Sequence, residues 1–111
     1  MNFEIISIDF FDKQAKRLVK KYPSLKKELE DLKDVLTENP FTGTSIGFNC
    51  YKIRLTIASK NKGKSGGARI ITHVLVANEQ IFLLSIYDKS EQENITEKEI
   101  KELLKLLSDL I

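Results

Sequence analysis

Residues 50–58 (CYKIRLTIA), 69–77 (RIITHVLVA) and 80–87 (QIFLLSIY) decide the fold. Each run has strand length and is rich in aliphatic and β-branched residues. Three consecutive strands are therefore predicted, Cys50 to Ala58, Arg69 to Ala77 and Gln80 to Tyr87. The Asn78-Glu79 pair between the last two is short enough for a tight hairpin. The first two are joined by SKNKGKSGG (59–67), a long, glycine-bearing loop expected to be mobile.

Upstream, Phe3 to Ile8 (FEIISI) is a further short strand, and Asp9 follows as a candidate helix cap. Phe11, Ala15, Leu18, Val19 and Tyr22 then recur at helical spacing. Pro23 interrupts that helix and suits the first turn of the next, whose Leu25, Leu29, Leu32 and Leu36 share one face. This second helix should stop near Asn39-Pro40, because the residue before a proline disfavours helix. Phe41 to Phe48, with Gly43 and Gly47, reads as a loop. Downstream, Thr96-Glu97-Lys98-Glu99 is a capping box that opens a helix with Ile100, Leu103, Leu104 and Leu107 facing inward. The order is βααβββα: an N-terminal strand, a helical hairpin, an antiparallel sheet of three further strands, and a C-terminal helix. This is an α+β layer in a single domain spanning 1–111.

The chain has 111 residues, 41% hydrophobic and 31% charged, the balance of a globular protein with its own core. No run reaches the roughly 20 apolar residues of a membrane span, so no membrane association is expected. MNFEIISIDFFDK lacks a basic start and is not expected to be a secretion signal. The single Cys50 excludes an intramolecular disulfide and fits a reducing cytoplasm.

Net charge is +2, but it is unevenly placed. From Asn39 to Asn78 no acidic residue occurs, while Lys52, Arg54, Lys60, Lys62, Lys64 and Arg69 give +6. The remaining twelve cations and sixteen acids leave −4 for the rest. Such asymmetry points to a polyanion-facing patch; the plainer reading is a solvated, lysine-rich hairpin.

Strand alternation sorts these cations further. Ile53, Leu55 and Ile57 form one face of the first strand, with Lys52, Arg54 and Thr56 opposite. In the last strand Phe82, Leu84 and Ile86 oppose Ser85 and Tyr87, with Lys89 just beyond. With the apolar faces against the helices, Lys52, Arg54, Arg69, His73, Ser85 and Tyr87 can share one open face. Arginine forks onto phosphate oxygens, lysine supplies point charge, and tyrosine stacks or donates a hydrogen bond. RNA brings its own nucleophile, the 2′-hydroxyl, so a set of this kind needs neither a metal nor a protein nucleophile.

Other motifs carry less. Gly63-Lys64-Ser65 is not a phosphate loop, since Ala58 stands where the first glycine belongs and the segment joins two strands. One His and one Cys give no metal cluster, and no cofactor is implied. Cys50 reads as a buried strand thiol. Histidine's ordinary pKa is near neutrality, which makes His73 a candidate acid or base, against the alternative of a structural or merely exposed strand histidine.

In this order and at this length, three pieces resemble the RelE/ParE superfamily of toxin–antitoxin toxins, in its RelE-like branch with HigB-type relatives. They are Cys50-Tyr51-Lys52-Ile53-Arg54-Leu55, the loop Lys60 to Gly67 leading to Arg69-Ile70-Ile71, and Leu84-Ser85-Ile86-Tyr87-Asp88-Lys89-Ser90-Glu91. The resemblance implies a ribosome-dependent mRNA endoribonuclease, acting in the ribosomal A site and neutralised by a cognate antitoxin. By position Lys52, Arg54 and Arg69 would hold the scissile phosphate, Lys89 would donate a proton, and Tyr87 would stack on or orient the nucleotide. Lys60, Lys62 and Lys64 would grip RNA backbone. The chain departs from some relatives in having Arg54, which does not deprotonate usefully, where they carry a lysine. Lys52 or His73 would then be the base, or charge stabilisation would dominate. Thr72-His73 also stands where relatives commonly carry tyrosine. Two further readings share the fold: a ParE-like inhibitor of DNA gyrase, and an inactive member that only binds antitoxin or RNA.

Overall fold

The computed structural model describes residues 2–60 and 66–110. Its elements are β1 (Glu4–Ser7), α1 (Asp9–Lys21), α2 (Leu25–Glu38), β2 (Thr44–Gly47), β3 (Cys50–Leu55), β4 (Ala68–Leu75), β5 (Gln80–Asp88) and α3 (Glu97–Leu110). They form the expected α+β architecture around one five-stranded sheet in the order β1-β5-β4-β3-β2. β1 runs parallel to β5, and the other pairings are antiparallel. No helix among the described residues is long and apolar enough to cross a membrane.

β5 is central, and every residue from Ile81 to Asp88 is buried. A near-continuous apolar run suits a strand covered on both faces. The α1–α2 hairpin covers one face, burying Phe11, Leu18, Leu25, Leu32 and Leu36. α3 closes over the other with Ile100, Leu103 and Leu107. Beyond Ser7, where β1 ends, Gln14 Oε1 accepts from the Ile86 backbone N–H at 3.0 Å and supplies the partner that β1 no longer does. The Thr96–Glu99 capping box forms reciprocally: Thr96 N–H donates to Glu99 Oε1 at 2.9 Å, and Glu99 N–H donates to Thr96 Oγ1 at 3.1 Å.

Four local expectations are corrected. Thr44–Gly47, expected within a loop, is an edge strand paired with β3. Its turn is Phe48-Asn49, both left-handed (φ 57° and 58°), a primed hairpin that lacks the usual Asn-Gly signature. Asn78-Glu79 is not a two-residue turn: Leu75 pairs with Gln80, and Val76–Asn78 form a 3-10 turn closed by a left-handed Glu79. The first strand of the three ends at Leu55 instead of Ala58. Finally, Asp9 makes no cap hydrogen bond; Ile8 occupies the cap position and Asp9 the first turn.

The alternation expected for β5 also breaks. Ile71 pairs with Ser85, but Thr72 pairs with Leu83, leaving Leu84 as a bulge. Phe82 consequently lies on the face of His73, its pairing partner, instead of sharing a face with Ile86. The bulge preserves the alternation only from Ser85 onward, where the chemistry-bearing side chains stand.

Candidate functional site

Register aligns the polar residues of three strands into rows. Arg54 pairs with Arg69, which pairs with Tyr87; Lys52 pairs with Ile71, which pairs with Ser85. Directly paired residues project to the same face, so Lys52, Arg54, Arg69, Ser85 and Tyr87 share one side of the sheet. Lys89 follows immediately after β5. A cleft at this end is lined by Lys52, Arg54, Arg69 and Lys89 together with Glu93 and Asn94. Four cations thus face one carboxylate and one amide.

Glu93 and Asn94 were not foreseen. They lie in no strand or helix, so neither alternation nor helical spacing marks them; the only signal is Asn94's place just before the capping box. Several hydrogen bonds hold the segment carrying them. Asp88 Oδ1 accepts from the Ser90 N–H at 2.9 Å and its hydroxyl at 2.8 Å. Glu91 receives both Arg17 guanidinium nitrogens, at 2.8 and 3.3 Å. Lys52 Nζ donates to Asn94 Oδ1 at 3.3 Å, and Lys89 Nζ donates to the Glu93 carbonyl at 3.2 Å.

The face is less open than expected. Ser85 and Tyr87 are each 4% exposed, because the amphipathic α3 buries its apolar stripe here, the opposite face being occupied by the hairpin. Tyr87 in this state is not available to stack on a base. Its hydroxyl is buried without a hydrogen-bond partner among the described residues. Burial pushes the phenol pKa up, Arg69 draws it down, and Glu99 adds to the rise.

His73 lies on the same face but pairs with Cys50, four residues along β4 from Arg69, or about 13 Å at strand spacing. It is outside the cleft. Its Nδ1 stands 3.6 Å from Cys50 Sγ. Burial lowers its pKa, against a hydrogen bond to the Phe48 backbone that raises it. Cys50 is fully buried, and burial pushes its thiol up to about 11.

Lys60, expected to grip RNA, is instead committed inward. Its Nζ meets Asp88 Oδ1 at 2.6 Å and Ser90 Oγ at 3.3 Å, and it lies 5.7 Å from the Tyr22 ring centroid. Tyr22 Oη donates to the other Asp88 oxygen at 2.7 Å. Lys62, Lys64 and most of the expected mobile loop lie outside the described residues.

The site can bind an anion with two free oxygens, such as a phosphodiester, from several sides and neutralise charge that grows on it. A sequence model of the family described as "RelE toxin of RelE / RelB toxin-antitoxin system" matches residues 8–111. Among solved structures the chain is similar to an arginine-to-alanine double mutant of the E. coli toxin RelE in the free state. That likeness has 18% identity and a TM-score of 0.62, covering 84% of this chain and 90% of that one. It is also similar to a chain of the intact E. coli RelBE toxin–antitoxin complex, at 18% identity and a TM-score of 0.58, covering 76% of this chain and 93% of that one.

Proposed function

The chain belongs to the RelE toxin family, and from that premise we propose that it is a ribosome-dependent mRNA endoribonuclease held inactive by a cognate antitoxin. The observation that carries the proposal is the single cleft into which Lys52, Arg54, Arg69 and Lys89 all open. In this reading the mRNA 2′-oxygen attacks the adjacent phosphorus, its proton leaves to water, and the bond from phosphorus to the 5′-oxygen breaks. Arg54 and Arg69, paired across β3 and β4, fork onto the non-bridging oxygens and stabilise the charge that develops there. Lys52 adds a point charge to the same phosphate, and Lys89 gives a proton to the departing 5′-oxygen. The products are a 2′,3′-cyclic phosphate and a 5′-hydroxyl. No step calls for a metal, and the donor set of the cleft suits an anion.

The antitoxin is part of this proposal. It is supported by the family and by the fold shared with the RelBE complex. Induction in bacteria followed by mapping of mRNA 5′ ends is the test. New cleavages within translated codons during growth arrest are expected, and Arg69→Ala should abolish them. Growth arrest with intact mRNA and inhibited gyrase supercoiling would overturn the reading.

A further inference from the structure

A phosphate clamp works only if its cations point at one place, and lysine is the hardest to hold because its stem is long and freely rotating. Lys52 comes from β3 and Lys89 from the turn just after β5, and both are tethered to the short segment that follows. Asn94 Oδ1 holds Lys52 Nζ at 3.3 Å, and the Glu93 carbonyl holds Lys89 Nζ at 3.2 Å. The Asn94 amide is oriented independently of Lys52. Its Oδ1 also accepts from the Ile95 N–H at 2.9 Å, which fixes the end that carries oxygen, and its backbone carbonyl accepts from Gln92 Nε2 at 2.9 Å.

The choice of an amide has a consequence. A carboxylate in this place would hold the ammonium more tightly but offset its charge, whereas an amide orients the cation and leaves its field for the ligand. The segment is itself anchored to α1 through Arg17 and Glu91, whose ion pair closes at 2.8 Å.

We propose that Asn94 is a positioning residue, which holds the Lys52 ammonium over the sheet face so that Lys52 and Lys89 address one phosphate. This rests on the endoribonuclease reading above and adds to it a residue that acts through another without touching the reacting atoms.

The test combines a double-mutant cycle with a spectrum of the free protein. Cleavage of ribosome-bound mRNA is measured under single turnover for wild type, Asn94→Ala, Lys52→Ala and the double variant. Asn94→Ala should lower the maximal rate about tenfold, the worth of one oriented hydrogen bond to a charge, with half-saturation unchanged. In the Lys52→Ala background it should cost nothing further. Asn94→Asp keeps the Oδ1 acceptor and should also slow cleavage, because its carboxylate offsets the charge it holds. Equal cost of Asn94→Ala in both backgrounds, or no cost in wild type, would overturn the proposal. Separately, proton–nitrogen correlation of lysine ammonium groups should show the Lys52 signal moving in Asn94→Ala at unchanged melting temperature. An unmoved Lys52 signal overturns the contact. A wild type that cuts no mRNA while this signal moves sinks the functional reading and leaves the positioning geometry standing.

Discussion

The Lys60 ammonium sits 2.6 Å from the Asp88 carboxylate in a nearly dry site, with the two side chains 11% and 0% exposed. The Tyr22 hydroxyl and Ser90 complete the shell of Asp88, and Ser90 Oγ and the Tyr22 ring face complete that of Lys60. Removing one partner strands the other. Lys60→Ala should therefore cost about 3–5 kcal/mol of folding stability. Urea denaturation checks this. A loss under 1 kcal/mol, with weaker RNA binding as the main effect, would restore Lys60 to the role of a surface grip.

The same carboxylate sets an acid limit. Burial alone would raise the Asp88 pKa, but hydrogen bonds from Lys60, Tyr22 and Ser90 outweigh it and hold the group well below the usual carboxylate range. A depressed folded pKa means that the unfolded chain binds more protons, so this stabilisation is complete above the unfolded value of about 4 and is lost as pH falls below it. Melting temperatures of wild type and Asp88→Asn should differ widely at pH 6 and converge as the solution is acidified. A constant gap from pH 6 to pH 2 would show that Asp88 does not titrate in this way.

Most of the fold was legible because its signals are periodic. The leucines of α2 and α3 and the alternation of β3 state which side is buried, and the capping box marks where α3 begins. What escaped was aperiodic. The turn Phe48-Asn49 reaches a left-handed conformation without glycine, held in place by strand pairing on either side. The Leu84 bulge depends on how β5 meets β4, which no single strand encodes. In the site, alternation grouped Lys52, Arg54, Arg69 and Tyr87, since these sit on strands. It was blind to Asn94 and to the inward turn of Lys60, because both depend on contacts between segments more than 25 residues apart in the chain.

Cys50 and His73 form a pair away from the cleft and should behave as structure. The thiol is fully buried and pushed up to about 11, so at neutral pH it is neither ionised nor reachable. Native protein should react with a thiol-directed reagent only at the rate of local or global opening, and urea should release full reactivity. His73 has a lowered pKa because burial disfavours its charge, so it stays neutral at pH 7, and stability should decline as pH falls below about 6.5. His73→Gln should leave mRNA cleavage within about twofold of wild type, given its strand-spacing distance from Arg69. A cleavage profile that loses a limb near neutrality in this variant would place His73 in the chemistry after all.

Tyr87 separates stability from function most sharply. Its ring is packed under α3, while its hydroxyl is buried beside the Arg54–Arg69 row with no partner among the described residues. A buried hydroxyl left unpaired costs free energy in the unliganded protein, so Tyr87→Phe should melt no lower than wild type and gain up to about 1 kcal/mol. Tyr87→Ala removes the ring as well and should lose about 3–5 kcal/mol through the cavity it opens. If the hydroxyl finds its partner in bound mRNA, Tyr87→Phe should cut the cleavage rate about tenfold despite its intact fold. Calorimetry and single-turnover cleavage on the same preparation give both answers. A Phe variant that is both as stable and as active as wild type would confine Tyr87 to packing, and the charge stabilisation would then fall wholly to the arginines and lysines of the cleft.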